Sequence, residues 1–290
     1  VCNTENITIK KYWGLDLSPS QNIGTTVDIR DYVEELKNQL IDAVKIRLMS
    51  DVPLGALLSG GLDSSAIVAI MAQFSDKPIN TFSIGVHDAD TSELSFARLV
   101  ADRYGTNHHE YVMNLDSIEM LPDMIDIFDE PFADSSSIYS YYISKYAKEK
   151  VTVALSGDGG DEIFAGYPWY LSLEQNRWSN NSIKYPGLFS KIYDIWPNHF
   201  KGKKKLDFLR QPNNAMRYAY TKNRFPQHVR ETLFTRELNQ LFKEVPNYDL
   251  VLKHAMDAMD LDKLTMMQYA DSMTYLPENI NVKVDRTSMH

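Results

Sequence analysis

Residues 54–65 read LGALLSGGLDSS: a short apolar run over 54–58, a Ser59-Gly60-Gly61 corner, and helix-like sequence resuming at Asp63. This is the pattern of a buried strand that hands a glycine-rich loop to a helix N-terminus. Free backbone N–H groups and the helix dipole both favour an anion there. Gly60 and Gly61 remove side chains where backbone must approach phosphate oxygens, and Ser59, Ser64 and Ser65 add hydroxyl donors. The loop has no lysine in the GxxxxGK[ST] register and so is not a Walker P-loop. It places a carboxylate, Asp63, where phosphate is expected. A carboxylate beside phosphates is explained by Mg²⁺, which is typically held by one or two carboxylates together with phosphate oxygens.

The surrounding sequence predicts the sheet to which this strand belongs. Val33, Leu36, Leu40, Val44 and Leu48 form one apolar stripe on a helix begun by Asp31. Residues 66–74 continue the helix after the corner, and 79–86 (INTFSIGV) form a second strand. Residues 92–104 form a helix stopped by Gly105, Tyr111 and Val112 end a third strand, 136–148 form a helix, and 151–155 (VTVAL) a fourth strand. Strands that alternate with helices and are apolar throughout predict a doubly wound parallel sheet covered on both faces. Ligands of such sheets sit beyond the C-terminal strand ends. The fourth strand runs into Ser156-Gly157-Asp158-Gly159-Gly160-Asp161-Glu162, so two glycine-rich, acid-bearing loops are expected on one sheet edge, with Asp161 as a second Mg²⁺ ligand. Two N-capping aspartates would explain each acid singly but not the shared edge with paired glycines.

Beyond Gly166 the sequence turns aromatic and mixed in charge, with helical stretches over 169–178, 214–223, 229–242 and 250–275. The basic run 201–205 (KGKKK) is expected to be a solvated loop. Met256, Met259, Met266, Met267 and Met273 are expected in helix cores. Tyr139, Tyr141, Tyr142 and Tyr146 are assigned to packing, with one able to reach the crevice. His108 and His109 are neighbours that point to opposite faces of a strand and cannot share a metal. Of Asp129, Glu130 and Asp134, one caps the helix that begins near Ser136.

Lys+Arg 30 against Asp+Glu 39 gives a net charge of −9, the wrong sign for a protein that holds nucleic acid by phosphate neutralisation. The single cysteine, Cys2, allows neither an intrachain disulfide nor a cysteine-based zinc site. No apolar run approaches the roughly 18 residues that span a bilayer, and residues 1–20 lack signal-peptide character, so a cytoplasmic protein is expected without membrane or nucleic-acid partners. The ends carry no capping or tail-like composition, and a piece of a longer protein is expected.

Ser59 to Ser65 resembles the pyrophosphate loop of the ATP pyrophosphatases. The second loop, continued as Asp161-Glu162-Ile163-Phe164-Ala165-Gly166-Tyr167, is similar to that of the synthetase domain of glutamine-dependent asparagine synthetases. Tyr12-Trp13, residues 82–85 (FSIG), 108–110 (HHE), 129–134 (DEPFAD) and 282–286 (VKVDR) add to the resemblance. It implies an adenine nucleotide α-hydrolase-like fold followed by an all-helical part. Residues 1–30 become a linker from an N-terminal glutaminase domain, 31–168 the ATP-pyrophosphatase core, and 169–290 a helical part truncated at its C-terminus.

The resemblance places adenine near Leu57 and Ile84 and the sugar near Ser156 and Gly157. The phosphates fall on the 59–65 loop, through Ser59, Gly60, Gly61, Asp63, Ser64 and Ser65, with Mg²⁺ on Asp63 and Asp161. Asp158 stands where asparagine synthetases commonly carry a glutamate proposed as a base or ammonia-orienting group, and Arg286 stands where a basic residue can face the phosphates. The implied activity is ATP-dependent amidation of a carboxylate, aspartate first, through an acyl-adenylate attacked by ammonia, with release of AMP and pyrophosphate. The glutaminase domain is the implied partner, and a homodimer is left open. A sugar acid or antibiotic precursor as acceptor, or a nucleotide-binding module without turnover, are the alternatives. Cys2 follows Val1 and precedes linker-like sequence, so it is not read as the exposed N-terminal nucleophile of a glutaminase.

Overall fold

The structure, a computed structural model, describes residues 10–16, 28–86, 93–113, 119–174, 182–197, 201–223, 229, 233–244 and 250–290. Cys2 and most of the expected linker lie outside the described residues. The first half builds α1 (Ile29–Leu48), β1 (Leu54–Leu57), α2 (Leu62–Phe74), β2 (Asn80–Val86), α3 (Leu94–Tyr104), β3 (Asn107–Met113), α4 (Leu121–Phe128), α5 (Ser136–Ala147) and β4 (Val153–Leu155). All pairings are parallel and the strand order is β3-β2-β1-β4. The chain steps outward from β1 to β3, then returns past β1 to lay down β4. This reversal opens a crevice between β1 and β4 at their C-terminal ends, where ligands of open α/β sheets bind.

The two sheet faces bury different side chains because alternate strand residues point opposite ways. Ala56 and Leu58 face a core shared with Val44 of α1, Val68 and Met71 of α2, and Ala97 and Ala101 of α3. On the other face Phe82 packs with Ile143 and Ala147 of α5, Val151 and the half-buried Leu57. The helix cap at the start of α1 is Asp28, which accepts from the backbone N–H of Arg30 at 2.9 Å; Asp31 lies in the first turn instead of beginning the helix. The stripe on α1 is packed only toward its C-terminal end, since Val33 and Leu36 are exposed while Val44 is buried.

β3 carries His108 and His109 to opposite sides, as their adjacency requires. His109 stacks on Phe82 with ring centroids 5.2 Å apart, and its Nε2 lies 3.2 Å from the Asn80 side-chain oxygen. His108 shares a contact of 2.9 Å with the Thr81 hydroxyl through Nδ1. Burial pushes the His108 pKa below its ordinary value, outweighing the nearby Glu110 carboxylate. The unfolded chain therefore binds this proton more readily than the folded one, and stability falls as pH drops through the ordinary histidine range. We expect urea midpoints to decline between pH 7.5 and 5.5 and the decline to be shallower in His108→Gln. An equal slope in both proteins would remove His108 as its source.

The remainder is helical: α6 (Gly160–Phe164), α7 (Pro168–Glu174), α8 (Pro186–Ile195), α9 (Lys203–Leu209), α10 (Asn214–Lys222), α11 (Arg236–Glu244), α12 (Leu250–Asp257), α13 (Lys263–Met273), a π-helical segment Leu276–Asn281, and α14 (Val282–Met289). Its core gathers Tyr170, Leu173, Ala215, Tyr218, Met266, Met267 and Ala270. Met266 and Met267 are core as expected, but Met256 and Met259 are exposed at 42% and 43%. At the centre Asp271 is fully buried and accepts from the Tyr170 hydroxyl at 2.8 Å, Lys222 Nζ at 3.0 Å and Trp169 Nε1 at 3.2 Å. A buried carboxylate persists only when paired and hydrogen-bonded in this way.

The run 201–205 is exposed as expected except at Lys203, and from that residue it is helix and not loop. Lys203 opens α9 and is buried, its ammonium donating to the backbone oxygens of Tyr193 and, at 2.8 Å, Trp196, so it closes the C-terminal end of α8.

Candidate active site

The corner after β1 is built as the sequence demands. Gly60 takes φ +83°, and a Cβ there would stand 2.5 Å from the Ala97 backbone nitrogen, so the close approach of α3 requires glycine. The serines organise the loop: the Ser59 and Ser64 hydroxyls are 3.0 Å apart, and Ser59 Oγ accepts from the Gly61 N–H at 3.2 Å. Leu62 and Asp63 then start α2, with Gly61 as an N-cap that offers no side-chain hydrogen bond.

The second loop lies directly against the first. A Cβ on Gly157 would meet the Ser64 backbone nitrogen at 2.8 Å, and one on Gly160 would meet the Asp63 carboxyl carbon at 2.6 Å. Two glycines of the β4 loop thus make room for the first turn of α2. Gly166 does the same for Asp161, whose carboxylate occupies the space that a Cβ on Gly166 would fill. The Ser156 hydroxyl donates to Asp158 at 2.7 Å. Burial pushes the Asp161 pKa up, and the Asp63 and Asp158 carboxylates push it further in the same direction. Asp63 and Asp158 therefore both press on Asp161.

The two loops form one wall of a polar cleft of about 300 Å³. Leu57, Ser59, Gly61, Asp63, Ser64, Ser156, Gly157, Asp158 and Asp161 all line it. Ile84 lines a smaller adjoining cavity of about 150 Å³, with Leu57, Ser59 and Ile143 common to both. Gly60 and Ser65 do not line the cleft: Gly60 shapes the turn, and the Ser65 hydroxyl is buried. Arg286 is exposed and does not line it either; from the same helix Lys283, Val284 and Thr287 do. None of the four expected tyrosines lines the cleft among its described residues, where α5 presents Ser140, Ile143 and Ser144.

The helical part braces the acid loop. Glu162, beside Asp161, is buried and accepts from the Tyr167 hydroxyl at 2.8 Å, and the Gln268 side-chain amide donates to the backbone oxygens of Ile163 at 2.6 Å and Glu162 at 3.1 Å. Asp134 is the capping acid among the three candidates, accepting from the Ser136 N–H at 2.9 Å and hydroxyl at 2.8 Å, while Asp129 takes φ +62° to end α4. The signals that could have marked Lys283, Ser140, Ser144 and Thr287 are weak, since serine and threonine on helices and a lone lysine are common without function.

Oxygen donors dominate the acid wall: the carboxylates of Asp63 and Asp161 and the hydroxyls of Ser59 and Ser64. Such a set suits Mg²⁺ and not a softer metal. Among the described residues no group of three or more His, Cys, Asp or Glu is disposed to hold a metal alone, so a ligand would have to supply the remaining oxygens.

Two glycine-rich loops that meet at the switch point of a 3-2-1-4 parallel sheet define an α/β domain with a polar crevice at its strand ends. The chain belongs to the asparagine synthase family, as a synthetase domain, and matches that family over residues 35–290. It is 31% identical over 288 residues to asparagine synthetase [glutamine-hydrolyzing] 1 of Bacillus subtilis, covering 98% of this chain and 44% of that protein. Over 166 residues it is 45% identical to the putative asparagine synthetase [glutamine-hydrolyzing] 2 of Methanocaldococcus jannaschii, covering 57% and 32% of the two chains. The human asparagine synthetase [glutamine-hydrolyzing] is 37% identical over 153 residues, covering 48% and 27%. The chain thus spans less than half the length of these curated relatives. No helix among the described residues is long and apolar enough to cross a membrane.

Proposed function

We propose that this chain is the ATP-using part of an amide-forming carbon–nitrogen ligase that activates a carboxylate, aspartate first, and passes it to ammonia. The observation that carries this reading is the contact of the two loops at the β1/β4 crevice, where Gly157 and Gly160 admit Ser64 and Asp63. ATP is the substrate, with its base toward Leu57, Ile143 and Ile84 and its phosphates on the turn that starts α2. Asp63 and Asp161 are the residues that would hold Mg²⁺, which when bound offsets the charge of the departing pyrophosphate. Loop N–H groups supply fixed dipoles for the same charge.

In the reaction a carboxylate oxygen of the acceptor attacks the α-phosphorus and the bond to pyrophosphate breaks. The resulting mixed anhydride is a far better electrophile than a carboxylate, because its leaving group is AMP and not an oxide. Ammonia adds to the acyl carbon, the C–O bond to AMP breaks, and a proton is lost from nitrogen. Asp158 is the acid at the mouth of the cleft in place to accept it, with its orientation set by the Ser156 hydroxyl. The relatives' names include glutamine hydrolysis, so in the full-length protein we assign the ammonia supply to a glutaminase domain N-terminal to the 31–168 core and 169–290 helical part. A cytoplasmic setting belongs to the same proposal.

The test is ATP–pyrophosphate exchange by the full-length protein across a panel of carboxylates. Exchange dependent on aspartate is the expected result. Exchange with another acid alone would replace the acceptor, and Mg-ATP binding without exchange would replace the enzyme by a nucleotide-binding module. Asp158 is a short acid tied back to its own loop at 2.7 Å, and that observation favours testing a bulkier acceptor such as a sugar acid alongside aspartate.

A further inference from the structure

The cleft has two ends, and α5 runs between them. Ile143 belongs to both cavities and marks the base end, whereas Ser136 begins the helix seven residues earlier, about 10 Å away along its axis. At that far end the Lys283 ammonium donates to the Ser136 hydroxyl at 2.8 Å and pairs with Asp134 at 3.5 Å. Asn279 holds the same Asp134 oxygen at 3.1 Å. Lys283 is 9% exposed, lines the cleft, and is the sole cation among the described residues that do so. An ammonium has three donors; the Ser136 hydroxyl takes one, and Asp134 pairs with the ammonium by charge.

A charge problem in the proposed reaction needs such a group. On the proposed reading the phosphates sit toward the acid loops, where Asp63 and Asp161 would hold a divalent cation that offsets their charge. The acceptor carboxylate must still approach the α-phosphate, an anion moving onto an anion. A lysine held rigid by Asp134 and Ser136 supplies positive charge there without reorganisation.

We propose that Lys283 binds the acceptor carboxylate and holds it beside the α-phosphate of ATP, an assignment that rests on the amidating reading above. Asp134, Ser136 and Asn279 are then positioning residues for that lysine, and they tie the loop before α5 to the π-helical segment and α14.

The experiment is ATP–pyrophosphate exchange by the full-length protein with aspartate, measured with Mg-ATP binding by calorimetry and thermal melting. For Lys283→Met the expected result is a rise in KM for aspartate of about tenfold or more and a fall in kcat/KM of about 100-fold or more, the loss associated with one preorganised charge-stabilising donor. Affinity for Mg-ATP should stay within about threefold. Lys283→Arg should recover kcat/KM to within about tenfold of wild type, which a purely structural role would not require.

An unchanged aspartate KM in Lys283→Met, or a loss of Mg-ATP affinity as large as the loss of exchange, overturns the assignment. Should Lys283→Met melt well below wild type, Ser136→Ala carries the test, because it removes one tether and keeps the charge. An aspartate KM raised about threefold or more in that variant supports the proposal, and an unchanged one overturns it. Wild-type protein that binds Mg-ATP but exchanges with no carboxylate overturns the amidating reading and this assignment together, whereas wild-type exchange left intact by Lys283→Met overturns this assignment alone.

Discussion

Asp63→Ala should weaken Mg²⁺-dependent ATP binding by about 30-fold or more while leaving the fold in place. Asp63 stands on the first turn of α2, against Gly160 and close enough to Asp161 to raise its pKa. Removing a carboxylate from this group relieves repulsion in the ligand-free chain, so the melting temperature should hold or rise. The favourable term lost, a charge near a helix N-terminus, is only about 0.3–1 kcal/mol. Mg-ATP loses one partner of a desolvated charge pair, worth about 2–5 kcal/mol, so affinity should drop by about 30-fold or more. Calorimetric titration with Mg-ATP, beside a thermal melt without ligand, separates the two effects. Unchanged affinity would sink the metal assignment, and a collapse of the melt would make Asp63 a structural residue.

Gly157→Val should separate the two loops and remove exchange activity at a moderate cost in stability. The atoms nearest a Cβ at this position are the Ser64 backbone nitrogen at 2.8 Å, Asp63 Cβ at 2.9 Å and the Asp63 carbonyl carbon at 3.0 Å. None is the far end of a flexible side chain, so the backbone itself has to shift. Overpacking of this kind costs about 1–3 kcal/mol, and a displacement near 1 Å at reacting groups can cost about 100-fold in rate. Gly105→Ala is the matched control. It takes φ +62° at the end of α3 with nothing within 4 Å of its Cβ, so it should lose about 1–2 kcal/mol of stability and keep exchange. Equal activity losses in both variants would show that stability, and not loop contact, sets the rate.

The acid loop is anchored from both halves of the chain. Tyr167 and Gln268 fasten Glu162 and Ile163 to the helical part, while Gly157 and Gly160 seat the same loop on α2. Displacement of α13 would therefore reach Asp161 through α6. The helical part is a brace for the crevice as well as one side of it.

Much of this was legible in order along the chain. The strand–helix alternation and the paired glycine-rich loops follow from local chemistry: apolar β-branched runs, glycines where backbones must approach, and acids at helix starts. Those signals predicted the parallel sheet, the crevice and most of the residues that line it. Lys203 shows where local reading stops. A KGKKK run looks solvated until α8 presents two backbone oxygens to one of its ammonium groups.

The sequence alone therefore determined the strands and the two loops, because each is encoded within some ten consecutive residues, and the family resemblance, which is carried by short motifs spread from Tyr12 to Arg286. Tertiary structure decided which basic residue of 282–286 faces the cleft. The resemblance points to Arg286, but α14 packs on α5 so that Lys283 turns inward to Asp134 and Ser136, residues nearly 150 positions earlier, while Arg286 is left to solvent. It also decided that Ser140, Ser144 and Thr287 line the cleft. Helical periodicity says which residues share a face; only the packing of one helix on another says what that face meets.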